Sequence, residues 1–153
     1  MRLGRTGGLI SMLDRSSQAI EKFDAKIICG AWQVKRKVID HRAGAIYGFI
    51  GRAIITTELF EERGEMSVGA NVLQAVRTYR LAFEDGAVRV LYPSGNEFVS
   101  LRYGPSQRVS HLCGSDLYNG RFLFENSNAW VEAWRVHGPQ KRYSSMSWYV
   151  RAV

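Results

Sequence analysis

The sequence of 153 residues has few cysteines and no long apolar run. Its two cysteines, Cys29 and Cys113, exclude a disulfide framework, so a reducing cytoplasm is the expected location. No apolar run approaches the roughly 18 residues that a membrane helix needs, so we expect no membrane span. The apolar patch from Leu9 to Leu13 is shorter than the core of a typical signal peptide. Without repeats or low-complexity tracts, the chain is expected to form a single globular domain.

Motifs for metal binding and for nucleophilic catalysis are missing as well. The sequence contains no Cys-x-x-Cys and no His-Glu-x-x-His, the spacings that zinc sites use. His111 and Cys113 share one strand face, but their Cβ atoms would be roughly 6–7 Å apart, too far to assume an activated thiolate. We therefore predict no metal, no cofactor and no catalytic residue, and in particular no haem bound through His111 in the purified protein.

The charge of the chain is basic, +7 from 21 Lys plus Arg against 14 Asp plus Glu. A basic balance favours an anionic partner such as nucleic acid. However, the basic residues are scattered along the sequence, and Lys35 to Lys37 form the one tight run. Scattered charge is typical of a solvated surface, so nucleic acid is not the expected partner.

From Lys26 onward the apolar residues alternate with polar ones, which is the pattern of half-buried strands. Turn signals such as Asp85-Gly86 and Gly138-Pro139 separate about nine or ten such strands. No turn signal is visible between Ile55 and Leu59. Antiparallel strands in this number favour a closed up-and-down barrel, because closure removes exposed sheet edges. We predict an all-β barrel over residues 26–153, after a tail and short helix over residues 1–25.

Several spaced motifs resemble a known family. They are Trp32-x-x-x-Arg36-x-x-x-Asp40, Phe60-x-Glu62-x-Gly64, Arg77-x-Tyr79, His111-x-Cys113-Gly114-x-Asp116-x-Tyr118-x-Gly120 and Trp134-x-Val136-x-Gly138-Pro139-x-Lys141. Together with Gly30-x-Trp32, they resemble an uncharacterised bacterial family of lipocalin-like (calycin) barrel domains of unknown function, over about residues 28–151. One departure is a shorter connection between the second and third strands. The resemblance implies a lipocalin-like fold and a bacterial source, and it assigns no activity.

Three charged residues share strand faces with apolar neighbours. They are Arg36, Glu62 and Arg77. Buried charges are costly unless paired, so each needs a partner inside the barrel. One interpretation is a structural ion-pair network with Glu62, Asp40 or Asp116. The other is a pair of guanidinium groups that bind a ligand carboxylate or phosphate.

These residues favour a binding protein, with a small, partly apolar, anionic molecule in the barrel cavity. The candidate ligand-binding residues are Arg36, Glu62, Arg77, Tyr79, His111, Asp116, Tyr118, Trp32, Phe49 and Trp134. The other functions that the residues allow are an enzyme with His111 as general base, oriented by Asp116 or Glu62, a haem or metal carrier through His111, and a structural or interaction module with a filled barrel. The sequence does not indicate an oligomeric state.

Overall fold

The computed structural model describes residues 24–102 and 104–153, and these form an all-β protein. A 3-10 helix over Ala25–Ile28 precedes ten strands. The strands are β1 (Gly30–Asp40), β2 (Ala45–Ile55), β3 (Leu59–Val68), β4 (Asn71–Glu84), β5 (Ala87–Leu91), β6 (Glu97–Leu101), β7 (Ser106–Cys113), β8 (Asp116–Asn126), β9 (Ala129–His137) and β10 (Arg142–Arg151). The tail and short helix predicted over residues 1–25 lie outside the described residues up to residue 23. No helix in the described ranges has the length and apolar character to cross a membrane.

All ten strands belong to one antiparallel sheet in the order β6-β5-β4-β3-β2-β1-β10-β9-β8-β7. Every two consecutive strands pair except β6 and β7, and β1 pairs with β10 from Trp32–Arg151 to Asp40–Tyr143. The predicted up-and-down barrel is therefore confirmed. The barrel is nearly closed, not fully closed as predicted, because no ladder joins β6 and β7 in the described part of the chain. Between these strands the amide of Arg102 donates to the side chain of Gln107 (2.7 Å), which takes the place of a strand partner.

Two turns show how local sequence sets the strand boundaries. The β4–β5 hairpin has Asp85 at φ 51° and Gly86 at φ 77°, the backbone that a two-residue hairpin of this twist requires. The β2–β3 turn has no glycine or proline and was not visible in the sequence. This turn is held instead by Thr56, whose Oγ1 accepts hydrogen bonds from the amides of Glu58 and Leu59 at 3.2 and 3.0 Å.

One end of the barrel is sealed by aromatic packing. The indole of Trp130 stacks on Tyr149 with ring centroids 3.7 Å apart, and Trp32 meets Trp130 edge-on at 6.1 Å. The Nε1 of Trp32 donates to the carbonyl of Ile28 in the 3-10 helix. The guanidinium of Arg151 covers the Trp32 ring at 4.2 Å. Among the described residues, buried aromatic side chains fill this end, and the interior cavity described below lies toward the other end.

A pair of glycines makes room for an aromatic ring on the inner face of the barrel wall. Gly51 and Gly64 face each other on β2 and β3. A Cβ at Gly51 would lie 2.6 Å from the Phe49 ring, and one at Gly64 would lie 2.7 Å from it. Because both glycines lack that atom, the ring of Phe49 lies across the two strands, where the guanidinium of Arg36 packs over it at 5.0 Å.

Candidate ligand-binding site

The middle of the barrel holds Arg36, whose donors are used by protein groups. Its Nη1 and Nη2 donate to both carboxylate oxygens of Glu62, at 2.7 and 2.9 Å. Its Nε donates to the hydroxyl of Ser147 at 2.6 Å, and Nη2 also reaches the hydroxyl of Tyr149 at 3.2 Å. The side chain of Arg36 is 10% exposed and that of Glu62 is 2% exposed. This bidentate pair is shorter than the 3.3 Å contacts that Arg77 makes with Glu62 and Glu132.

Arg77 on β4 joins the same network with looser contacts. Its Nη1 lies 3.3 Å from Glu132, and its Nη2 lies 3.3 Å from Glu62 and 2.9 Å from the Tyr149 hydroxyl. The Nε atom of Arg77 is buried and has no hydrogen-bond partner among the described residues. Its side chain is 28% exposed, because it borders the cavity. Arg77 is thus less completely paired than Arg36.

The network contains two guanidinium groups and two carboxylates, so its charges balance. Burial favours the neutral form of Glu62, but the hydrogen bonds and charges of Arg36 and Arg77 outweigh it and hold the pKa of Glu62 below its ordinary value. Burial, with the nearby Glu132 charge, raises the pKa of Tyr149 well above its ordinary value. Tyr149 therefore keeps its proton, which it donates to Glu62 at 2.9 Å.

Above this network lies a cavity of about 290 Å³. It is lined by Arg36, Val38, Arg77, Tyr79, Phe98, Tyr118, Trp134, Val136, Tyr143 and Ser145. Phe98 stacks on Tyr79 at 5.6 Å and on Trp134 at 5.2 Å, so three rings form one wall. The Nε1 of Trp134 donates to Glu132 at 2.6 Å, which ties this wall to the network. The cavity therefore combines an aromatic wall with guanidinium groups at its floor.

The rim of the cavity contains a second, more exposed polar group. Lys141 lies 3.4 Å from the Asp116 carboxylate and donates to the Tyr118 hydroxyl at 3.3 Å. His111 packs against rings, with its centroid 5.2 Å from Phe98 and 6.3 Å from Tyr118. In the described part of the chain neither Asp116 nor Glu62 hydrogen-bonds to His111, since each carboxylate pairs with a cation instead. His111 consequently has no carboxylate that orients it.

The predicted site residues fall into four groups. Those that line the cavity are Arg36, Arg77, Tyr79, Tyr118 and Trp134. Glu62 lies behind the arginines, and His111 and Asp116 lie near the rim. Trp32 belongs to the sealed end and Phe49 packs beneath Arg36, so neither lines the cavity.

Two residues of the network were absent from the predicted set. Glu132 shares its strand face with Trp130 and Trp134, and Tyr149 is fully buried on β10. The same alternation that singled out Glu62 also marks Glu132 as a charge on an apolar face. The signal was present, and the partner proposed in its place, Asp116, pairs with Lys141. Asp40, the other acid considered, accepts the amide hydrogens of Arg42 and Ala43 in the β1–β2 turn.

Metal-binding side chains do not cluster in the described residues. Across residues 24–102 and 104–153, no group of three or more His, Cys, Asp or Glu side chains is placed to hold an ion. Both cysteines are unpaired thiols, and Cys113 is exposed. Burial raises the pKa of the Cys29 thiol, which favours its protonated form.

Comparison with known proteins assigns the chain to a family. Residues 28–151 match the model of a family of unknown function, DUF6314, so the protein belongs to that family. No curated protein matches it. The expectation of an uncharacterised barrel family is confirmed at the level of family and fold.

Two solved structures are similar to the barrel. One is the S-type phycobiliprotein lyase CPES from Guillardia theta, with 12% identity and a TM-score of 0.51 over 84% of this chain and 90% of that one. The other is a protein of unknown function from the DUF3598 family of Nostoc punctiforme, with 12% identity and a TM-score of 0.57 over 83% of this chain. The chain spans about half of that second structure, 48%. Similarity at this identity shows the fold alone.

Proposed function

We propose that this DUF6314 protein binds a small, partly apolar anion in the cavity at the open end of its lipocalin-like barrel. The observation that carries the proposal is the position of Arg77, which borders the cavity with incompletely used donors. Binding cavities of this kind combine an apolar lining with a few convergent polar groups. Aromatic rings and the guanidinium groups of Arg36 and Arg77 border the same cavity.

The contacts of the two arginines suggest that they have different roles. Arg36 uses all three of its nitrogen atoms on protein acceptors, at 2.6 to 3.2 Å. Arg77 has two contacts at 3.3 Å and an Nε without a partner among the described residues. Because its contacts with the two carboxylates are long, although its Nη2 lies 2.9 Å from the Tyr149 hydroxyl, Arg77 gains more from a ligand carboxylate than Arg36 does. We therefore assign the head-group contact to Arg77 and a structural role to Arg36.

The size and lining of the cavity restrict the ligand body. A volume of about 290 Å³ is at the lower limit of the roughly 300–1,000 Å³ typical of ligand sites. The wall of Tyr79, Phe98 and Trp134 rings favours a flat body that stacks. A compact aromatic carboxylate fits these features better than a long acyl chain. The hydroxyl of Tyr118 at the rim offers a further polar contact.

A binding experiment with naphthoate and its neutral counterpart naphthalenemethanol tests the proposal. We expect naphthoate to bind the wild-type protein and to quench the fluorescence of Trp134. Arg77→Met should weaken naphthoate binding by roughly ten- to a hundredfold, since a charge-assisted hydrogen bond contributes about 1.5–3 kcal/mol. Naphthalenemethanol should bind weakly to both proteins.

Two controls separate ligand recognition from loss of the fold. Arg63→Met removes an exposed arginine that pairs with Glu61 on the outer wall, and it should leave binding unchanged. The double variant Arg77→Met with Glu132→Gln restores the charge balance of the network and should still bind naphthoate poorly. The proposal is wrong if the wild type binds neither compound. It is also wrong if the wild type and the Arg77 variant bind each compound with the same affinity.

A further inference from the structure

The outer wall of the barrel gathers basic residues that are far apart in the sequence. The register of four neighbouring ladders places Lys37, Met146, Ala133, Arg121 and Arg108 in one row across β1, β10, β9, β8 and β7. Arg135 lies on β9, two residues beyond this row. Their side chains alternate with the buried ones, so the row faces away from the interior. Four cations thus share one face of the wall.

These cations line a shallow groove of about 650 Å³ that contains no acidic residue. None of Lys37, Arg108, Arg121 and Arg135 makes an ion pair or a side-chain hydrogen bond within residues 24–102 and 104–153. Arg108 and Arg121 are direct cross-strand neighbours, and like charges in that position repel each other. The groove therefore has a concentrated positive charge without a counter-charge of its own.

The remaining lining of the groove is uncharged, and apart from Asn119 its side chains are small or apolar. Ala133 and Ser144 form part of the lining, and their small side chains leave space above the strands for a ligand. Met146 and Trp148 border it and are 42% and 41% exposed. Arginine, methionine and tryptophan are the residue types enriched at protein interfaces, and Trp and Arg are the commonest hot spots. The composition is that of a protein-binding surface.

We propose that this groove docks an acidic segment of a partner protein that also carries apolar side chains. Carboxylates of the segment would pair with the guanidinium groups, and its apolar side chains would pack on Met146 and Trp148. A second copy of this chain fits poorly, because each copy carries a net charge of +7. Proteins that bind single-stranded nucleic acid usually stack successive bases on aromatic rings, and Trp148 is the one exposed aromatic ring among the described lining residues.

A synthetic peptide that alternates glutamate with leucine and phenylalanine is a suitable probe, labelled with fluorescein for anisotropy. We expect it to bind the wild-type protein, and the same peptide with glutamine in place of glutamate to bind at least about tenfold more weakly. The double variant Arg121→Gln with Arg135→Gln should lose about tenfold or more in affinity. Trp148→Ala should also weaken binding, with the charges of the groove intact.

The matched control is Arg52→Gln with Arg63→Gln. These two arginines also face each other across neighbouring strands of the outer wall, β2 and β3, but lie outside the groove. The control should bind the peptide as the wild type does, because it removes the same charge elsewhere. The proposal is overturned if the peptide does not bind or if the control loses as much affinity. It is also overturned if labelled oligothymidylate or phosphatidylserine vesicles bind the groove more tightly than the peptide does.

Discussion

The barrel wall carries arginines on both faces, and the two sets differ in whether a carboxylate pairs with them. Arg36 and Arg77 on the inner face are held by Glu62 and Glu132, whereas Arg121 on the outer face has no such partner among the described residues. Water solvates a guanidinium on the outside at little cost, but an unpaired charge in the interior is expensive. The comparison teaches that the fold itself supplies counter-charges to the inner arginines, less completely to Arg77 than to Arg36, and leaves the outer ones available to a partner.

The largest effect should come from removing the inner counter-charge. Glu62→Gln leaves Arg36 without its bidentate acceptor and Arg77 with one carboxylate. Breaking a buried ion pair in this way costs about 3–5 kcal/mol of unfolding free energy. Urea denaturation measures the loss directly. Glu61→Gln, the next residue along β3, removes an exposed pair with Arg63 and should cost about 0–1 kcal/mol. Equal losses in the two variants would contradict the distinction between the faces.

A smaller loss of unfolding free energy is expected at acidic pH. Because the pKa of Glu62 is lowered in the folded protein, its contribution to stability is present above its unfolded pKa, near 4.3. That contribution is lost as the pH falls through the lower, folded pKa. The unfolding free energy of the wild type should therefore fall more steeply below about pH 4 than that of Glu62→Gln. Urea denaturation across that pH range measures both unfolding free energies. If the protonation of Glu62 were not linked to folding, the wild type and Glu62→Gln would show the same dependence on pH.

The smallest effect should come from the outer wall. Arg121→Gln should change the unfolding free energy by no more than about 0.5 kcal/mol, as most surface substitutions do. Its sign should be slightly stabilising, because the repulsion from Arg108 is removed. The matched inner substitution, Arg36→Gln, should destabilise by several kcal/mol, since it leaves Glu62 buried without its main partner. A large loss in Arg121→Gln would mean that the outer arginines also hold the fold together.

Alternation along each strand was enough to predict the barrel and the inward direction of Arg36 and Arg77. It also identified Glu62 as an acid on an inner face. It did not identify which residues meet across the barrel, because that depends on the register of ladders between distant strands. Glu62 meets Tyr149 only because β3, β2, β1 and β10 pair in a fixed register. The alternation within a strand indicates which residues face inward, but it does not identify the partner residues in ladders beyond the adjacent hairpins.

The same limit explains the interpretation of the basic residues. Lys37 and Arg135 look unrelated in the sequence, and scattered charge predicted an ordinary solvated surface. The β1–β10 and β10–β9 ladders together bring the two onto one groove. Trp148, on the neighbouring strand β10, is also exposed and borders the same groove. Such a patch is a property of the closed sheet and not of any single strand.

The pairing of the first and last strands also determines how the sheet is assembled in time. Every other ladder joins strands that are consecutive in the chain, so it can form as a local hairpin. The β1–β10 ladder alone closes a loop that contains all the other strands. Contacts between residues so distant in the chain raise the contact order and slow folding. The gap between β6 and β7 means that a chain cut there would lose no ladder. The two halves, β1 to β6 and β7 to β10, would then be natural candidates for reassembly from separate fragments along that one seam.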